Sequence, residues 1–154
     1  MSVKTQGTHL YFVAGDPLAL MKMTCPTGIT GLGGPKTQIP NTCLDNEEDE
    51  TFISGLGQPG TVSVPFILKP TEADHQELFV LKDAGQVIRW MGCLSDGKTA
   101  PTRTADEIEA PTGRTSFGFD AYVADVNIDI ATNELVRGTL ELQRSGKVDW
   151  TWKS

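Results

Sequence analysis

The last forty residues of the chain alternate between apolar and polar side chains along two long runs. These runs cover residues 116–130 and 134–144, and the turn-forming segment Ala131-Thr132-Asn133 separates them. Alternation with a period of two residues is typical of strands that bury one face, so the runs predict an antiparallel β-hairpin. Its apolar face comprises Val126, Ile128, Ile130, Val136, Leu140 and Leu142. Its polar face comprises Asp125, Asn127, Asp129, Arg137, Thr139, Glu141 and Gln143.

Most of the remaining chain also favours strands. The apolar parity changes upstream of Asp125, where Phe117, Phe119 and Val123 fall on the other face, which indicates a β-bulge or a second packed surface. Asp16-Pro17 is typical of a turn. Shorter strands are predicted at residues 9–13, 18–24, 61–68, 86–94 and 148–152. The predicted fold class is a mainly β, antiparallel sandwich or barrel, in a single domain over residues 1–154.

One helix is predicted within residues 71–85. Thr71 followed by Asp74 resembles a capping box at its start, and Gly85 is a suitable cap at its end. The apolar side chains on about one face are Ala73, Leu78 and Leu81. His75 lies early in this helix on the polar side, so we expect it to be solvated.

Residues 25–60, the arm, show no clear periodicity and are rich in glycine and proline. An irregular stretch of about 35 residues is unusual inside a compact domain and is commonly functional or disordered. The large apolar side chains of the arm are Ile39, Leu44, Phe52, Ile53 and Leu56. Residues 95–114 form a second, polar stretch that is expected to be irregular.

Five carboxylates fall within six positions of the arm. They are Asp45, Glu47, Glu48, Asp49 and Glu50. This acidic run is compatible with a solvated loop, with an acidic contact surface, or with a calcium site. It lacks the alternating ligands and the glycine of an EF-hand loop. The residues alone leave the three interpretations open.

The charge balance and the motif content narrow the possible functions. The chain has 20 Asp and Glu against 13 Lys and Arg, a formal net charge of −7, which argues against tight binding to nucleic acid or anionic lipid. Two histidines and three cysteines stand in no metal-ligand or catalytic spacing, and no nucleotide-binding or nucleophile motif occurs. We predict no catalytic residue, no cofactor and no metal. The polar N-terminus and the lack of a long apolar run predict a protein made in the cytosol without membrane insertion.

Several segments resemble the major tail tube proteins of long, non-contractile-tailed bacteriophages. The similarity lies in residues 37–45 (TQIPNTCLD), the acidic residues after them, residues 52–57 (FISGLG) and the closing Leu-x-Leu-Gln-x-Ser-Gly at 140–146. The succession of strand, helix, strand and long loop after the arm is similar as well. The resemblance covers most of the chain, and none of its motifs is catalytic.

The resemblance implies the tail tube β-sandwich, a fold shared with contractile-tail tubes and the type VI secretion tube. It implies subunits that form hexameric rings, which stack into a hollow tube around a tape measure protein, with tail tip and terminator proteins as further partners. DNA would pass through the lumen without specific binding. The subunit would be made in the host bacterial cytoplasm and would reside in the virion tail.

Within such a tube, the polar hairpin face has two possible positions. We expect it to line the lumen, because carboxylates there would repel phosphates during ejection; the alternative is the solvated exterior. The expected lumen-facing residues are Asp125, Asn127, Asp129, Thr139, Glu141 and Gln143.

The arm is expected to be poorly ordered in the isolated subunit and to order against a neighbouring subunit or ring. Its apolar side chains would dock there, and its acidic run would meet cations of the neighbour. The candidate cations are Lys36, Lys98, Arg103 and Arg114.

A small-ligand β-barrel is the main alternative function, and a hydrolase is a weaker one. The barrel needs a concave apolar interior, which the polar hairpin face supports little, and the hydrolase needs convergent catalytic groups that the sequence does not show. Rings or tubes in negative-stain micrographs would favour the tube. A stable monomer with a bound ligand would favour the barrel.

Overall fold

The computed structural model describes residues 2–15, 17–45, 47–105 and 107–153; Asp16 of the expected Asp16-Pro17 turn lies outside them. The described strands are β1 (His9–Ala14), β2 (Ala19–Lys22), β3 (Lys36–Pro40), β4 (Phe52–Gly57), β5 (Thr61–Ile67), β6 (Ile88–Cys93), β7 (Thr102–Thr104), β8 (Glu107–Glu109), β9 (Ser116–Asp129), β10 (Arg137–Arg144) and β11 (Asp149–Thr151). The helix α1 covers Ala73–Ala84. It is too short to cross a membrane, and no other helix lies within the described ranges.

Seven strands form one antiparallel sheet that curves around the core. The strand order is β2-β1-β6-β9-β10-β5, and β11 pairs with the beginning of β9. Strands that lie far apart in this order bury side chains in the same cluster, so the sheet must wrap around it. The large buried side chains of this cluster include Phe12, Phe66, Trp90, Phe117 and Phe119. The prediction of a mainly β, antiparallel fold with one helix is confirmed.

The predicted C-terminal hairpin is formed by β9 and β10. Leu140 lies opposite Val126, but Leu142 lies opposite Val123, so one residue of β9 is left over between these pairs. This β-bulge explains the change of apolar parity upstream of Asp125. Ile130 departs from the prediction, because β9 ends one residue before it and its side chain is 81% exposed.

Helix α1 begins and packs differently from the prediction. Gly85 ends it in the left-handed conformation, as expected, but the residue before its first turn, Glu72, makes no side-chain cap. Asp74 instead accepts hydrogen bonds from the backbone N (2.6 Å) and the hydroxyl (3.0 Å) of Thr24. The prediction that His75 is solvated is wrong, because the first turn of the helix packs against the chain at Thr24. His75 is buried, its Nδ1 accepts a hydrogen bond from the backbone N of Lys69 (3.0 Å), and its Nε2 lies 2.7 Å from the carbonyl oxygen of Thr24.

Regular structure also occurs in both stretches that the sequence marks as irregular. Within the arm, β3 and β4 form a separate two-stranded antiparallel sheet, with Ile39 opposite Ile53 and a register shift near Lys36. In the second stretch, β7 and β8 form a short hairpin. Another part of the arm, residues 25–30, runs along the free edge of β5.

Candidate functional site

The six residues predicted to face a lumen lie on one surface of the curved sheet. Their strands β9 and β10 pair so that Glu141 lies opposite Asp125 and Thr139 lies opposite Asn127. Because alternate side chains of a strand point to opposite faces, these residues lie away from the core that Val126, Leu140 and Leu142 fill. The structure therefore brings the predicted set together.

Cations moderate the negative charge of this surface. The Lys82 ammonium group of α1 lies 3.0 Å from a carboxylate oxygen of Asp125, and both side chains are about half exposed. Arg137 lies directly opposite Asp129 in the hairpin. Glu141 has Asp125 and Ser63 as its cross-strand neighbours. No pattern in the sequence indicates the Lys82 contact, because this contact depends on how α1 lies over β9.

The arm hairpin, β3 and β4 together, projects from the sheet. A hydrogen bond joins the two chain segments at its base: the backbone N of Gln58 donates to the carbonyl oxygen of Pro35 (2.8 Å). No other described strand or helix packs extensively against it. The five predicted apolar side chains of the arm are exposed, four of them in this hairpin; Leu56, for example, is 86% exposed. A lone two-stranded hairpin is marginally stable in water, so this one presents apolar surface without a core of its own.

The two ends of the arm tip, residues 41–51, are held together by hydrogen bonds. The backbone N of Asn41 donates to the Thr51 carbonyl oxygen (3.0 Å), and the Thr51 hydroxyl donates to the Asn41 side chain (2.6 Å). The backbone N of Thr51 also donates to the Thr42 hydroxyl (2.8 Å). The five predicted carboxylates lie between these ends and are exposed. Among the described residues, none of them takes part in an ion pair within 4 Å, and no group of three His, Cys, Asp or Glu is arranged to hold a metal.

The candidate cations for the acidic run differ in their availability. Arg114 is buried, with 1% of its surface exposed, and its guanidinium group donates to backbone carbonyls of its own chain. It cannot meet a neighbouring subunit, so the prediction that Arg114 is a cation for the acidic run is wrong. Arg103 donates to the Ala105 carbonyl oxygen (2.6 Å) and stays at the surface, as does Lys98. Lys36 lies at the base of the arm hairpin.

Burial and nearby charge shift the pKa of two side chains around Arg114, Cys93 and His9. Burial raises the pKa of the Cys93 thiol to about 11. Partial burial, followed by the charges of Lys22 and Arg114, lowers the pKa of His9. His9 Nδ1 lies 3.2 Å from Arg114 Nη2, so it accepts a hydrogen bond from the guanidinium group in the neutral state. These groups support the fold and lie apart from the arm.

Arg144 is the cation that the sequence reasoning missed. It is 4% exposed, and its guanidinium group donates to the carbonyl oxygen of Gly33 in the arm. The sequence does contain a signal for it. Arg144 continues the alternation of Leu140 and Leu142, so a charged side chain lies on the apolar face of β10.

The fold and its surface define a mainly β protein, with a curved antiparallel sheet, one polar face and a protruding arm. The profile of the family "Phage tail tube, TTP, lambda-like" matches residues 1–154. "Structural protein 3" of Pseudomonas phage PAJU2 is 33% identical over 150 residues, which cover 94% of this chain and 91% of that protein.

The chain therefore belongs to the lambda-like family of phage tail tube proteins. It is a structural protein of the virion tail tube and is not an enzyme. The predictions of family, function and virion location are confirmed.

Solved structures share the fold at low sequence identity. The SPP1 tail tube subunit superposes with a TM-score of 0.70 at 10% identity, covering 99% of this chain and 80% of that chain. A chain from the tail of an empty GTA particle with C6 symmetry gives 0.70 at 8% identity, covering 98% and 100%. A chain from the sheath/tube terminator structure of the PVC extracellular contractile injection system gives 0.71 at 10% identity, covering 99% and 98%.

Proposed function

We propose that this chain forms hexameric rings that stack into a hollow tube, through which the phage genome enters the host. The family membership supports a tube, and the likeness to a tail solved with C6 symmetry supports rings of six. A tape measure protein inside the tube, and tail tip and terminator proteins at its ends, complete the proposed set of partners. Ring formation also covers strand edges that a lone subunit leaves open.

The polar surface of β9 and β10 is proposed to line the bore. The observation that carries this proposal is that six polar side chains form one continuous surface on the side of the sheet opposite the core. A bore with carboxylates repels phosphates, so DNA passes without adhering. The ligand-barrel alternative gains no support, because aromatic and aliphatic side chains fill the space that the sheet encloses.

Charge reversal on this surface tests the lumen assignment. Asp129→Lys and Glu141→Lys are combined, while Asp125 is kept because its pair with Lys82 already neutralises it. We expect intact tubes that deliver DNA more slowly, with the defect easing as salt rises. The matched control reverses Glu72 and Asp83, two exposed carboxylates near the ends of α1.

The measurement is the rate of DNA release from purified virions that carry the variant tubes, followed with a DNA-binding dye at several salt concentrations. A normal rate in the Asp129/Glu141 variant would place this surface on the exterior. Equal slowing in the Glu72/Asp83 control would trace the defect to overall charge and not to the bore.

The arm is proposed to join each subunit to another copy. Its exposed apolar side chains and its acidic tip have no partner surface on their own described chain, so both become buried or neutralised only on assembly. Replacing the five carboxylates with amides should slow assembly, most strongly at low salt. Hydrogen exchange of residues 36–57 should be faster in the monomer than in the tube, and equal strong protection in both would refute the proposal.

A further inference from the structure

A basic groove lies at the base of the arm. It encloses about 420 Å³ and is lined by both apolar and cationic side chains. The apolar lining includes Leu32, Val148 and Trp150, and the indole of Trp150 is 41% exposed. The charged lining consists of Lys36, Arg144 and Lys147. Three cations and no carboxylate thus line the described groove, in a chain whose net charge is −7.

Arg144 makes this groove favourable for an anion. Its guanidinium group is almost fully buried, forms no ion pair among the described residues, and has an Nε without a hydrogen-bond partner there. A buried cation that lacks a counter-charge is costly, and a carboxylate brought to the groove would lower that cost. The arm backbone approaches Arg144 closely at Gly34, where a Cβ would lie 3.1 Å from Arg144 Nη2.

The arm tip has the complementary chemistry. It carries five exposed carboxylates beside the exposed side chains of Leu44 and Phe52. It cannot enter the groove of its own subunit, because β4 leads away from that groove. At about 3.3 Å per residue, Phe52 lies roughly 17 Å from Gly57 at the base of the hairpin. A contact between this tip and this groove therefore needs a second copy of the chain.

A second, larger groove is a poor receiver for the arm tip. It lies between α1 and the β7–β8 hairpin and encloses about 960 Å³, with exposed apolar side chains at Leu18, Val80 and Val87. Its charged lining consists of Glu77, Arg89, Glu107, Asp120 and Asp149. The single cation lies 3.6 Å from each of two of these carboxylates, Asp120 and Asp149. The acidic arm tip would be repelled there, so charge favours the basic groove.

We infer that the basic groove at the base of one arm receives the acidic arm tip of another copy. The inference rests on the proposed role of the arm in assembly and names the surface that it meets. Tip and groove are different surfaces of the same chain, so a copy that gives its tip to one neighbour keeps its groove for the tip of another. In the proposed tube, this head-to-tail contact repeats from layer to layer.

Cross-linking through a native thiol tests the inference. Cys43 lies in the arm tip and is exposed, so it can report what the tip approaches. A Lys147→Cys, Cys43→Ser variant is mixed at low fraction into protein that keeps Cys43, both in a Cys25→Ser background, and tubes assembled from the mixture are treated with a short bismaleimide. The variant is expected to shift to a dimer band, because only Cys43 of another copy can reach the new thiol at the groove.

The matched control places the thiol elsewhere, as Lys69→Cys with Cys43→Ser, and it should stay monomeric in the same tubes. Lys69 is also an exposed lysine but lies beyond the far end of β5. A Cys25→Ser background removes the other accessible thiol, and Cys93 is buried.

Failure of the inference and failure of the arm's proposed role give different results. Normal tubes without the Lys147→Cys dimer would overturn the groove assignment, while loss of assembly with the amide arm would still uphold the arm's role. Unchanged assembly of the amide arm at every ionic strength would overturn that role. Equal amounts of dimer from the Lys147→Cys variant and from the Lys69→Cys control would also overturn the inference, because the cross-link would then be unspecific.

Discussion

Replacing Arg114 with methionine should strongly destabilise the fold. The guanidinium group donates to the carbonyl oxygens of Leu94 (2.6 Å), Thr99 (3.0 Å) and Gly7 (3.0 Å), so it fastens the N-terminal segment to the loop after β6. Each acceptor left unsatisfied in a buried position costs about 1–3 kcal/mol. Removal of the buried charge offsets part of this cost. We expect the free energy of unfolding to fall by about 3–5 kcal/mol.

Urea denaturation followed by tryptophan fluorescence measures this loss. Arg103→Met is the matched control, because Arg103 is exposed and makes one hydrogen bond within its own hairpin; its change should stay within about 0.5 kcal/mol. The loss of stability in Arg114→Lys should lie between the losses in Arg114→Met and Arg103→Met. A single ammonium group cannot reach all the carbonyl oxygens to which the guanidinium group donates. A loss below about 1 kcal/mol in Arg114→Met would refute the argument that these buried hydrogen bonds hold the segment.

Two further predictions follow from the titratable groups near Arg114. The lowered pKa of His9 means that the unfolded chain binds a proton more readily than the folded one, so stability should decrease as the pH falls through about 6.5. Comparing the pH dependence of unfolding between pH 5 and 8 with that of His9→Gln checks this, and identical curves would contradict it. Iodoacetamide at pH 8 should label the exposed Cys43 quickly and should label Cys93, whose pKa is raised to about 11 and whose side chain is buried, only on unfolding. Mass spectrometry of native and urea-treated protein measures both rates, and equal labelling would exclude the buried position of Cys93.

The features that sequence predicted best are those with one buried face. The alternation in β9 and β10 located both strands, and the parity change upstream of Asp125 indicated the bulge. Gly85 marked the end of α1 because a left-handed residue there suits glycine. In each case, the residue type that the local backbone favours is also the type that the packed structure needs at that position.

The features that sequence missed depend on contacts between distant segments. The arm hairpin exposes both faces, so no alternation is required of it, and its 11-residue tip gives no tight-turn signal. His75 and Asp74 became buried because the chain at Thr24 crosses the start of α1. The buried positions of Arg114 and Arg144 depend on carbonyl groups supplied by remote loops, which no spacing in the sequence reveals.

Among the described residues, no other strand or helix packs extensively on the arm hairpin, and this also affects when subunits begin to associate. An arm gives up conformational freedom when it docks, so one contact alone holds two copies only weakly. When several copies stand side by side, their arms face the same layer, and each docking after the first is effectively intramolecular. With the arm docking as proposed, free copies stay dispersed at the concentration found in a cell. A completed layer, in contrast, holds the next with an avidity that no single contact supplies.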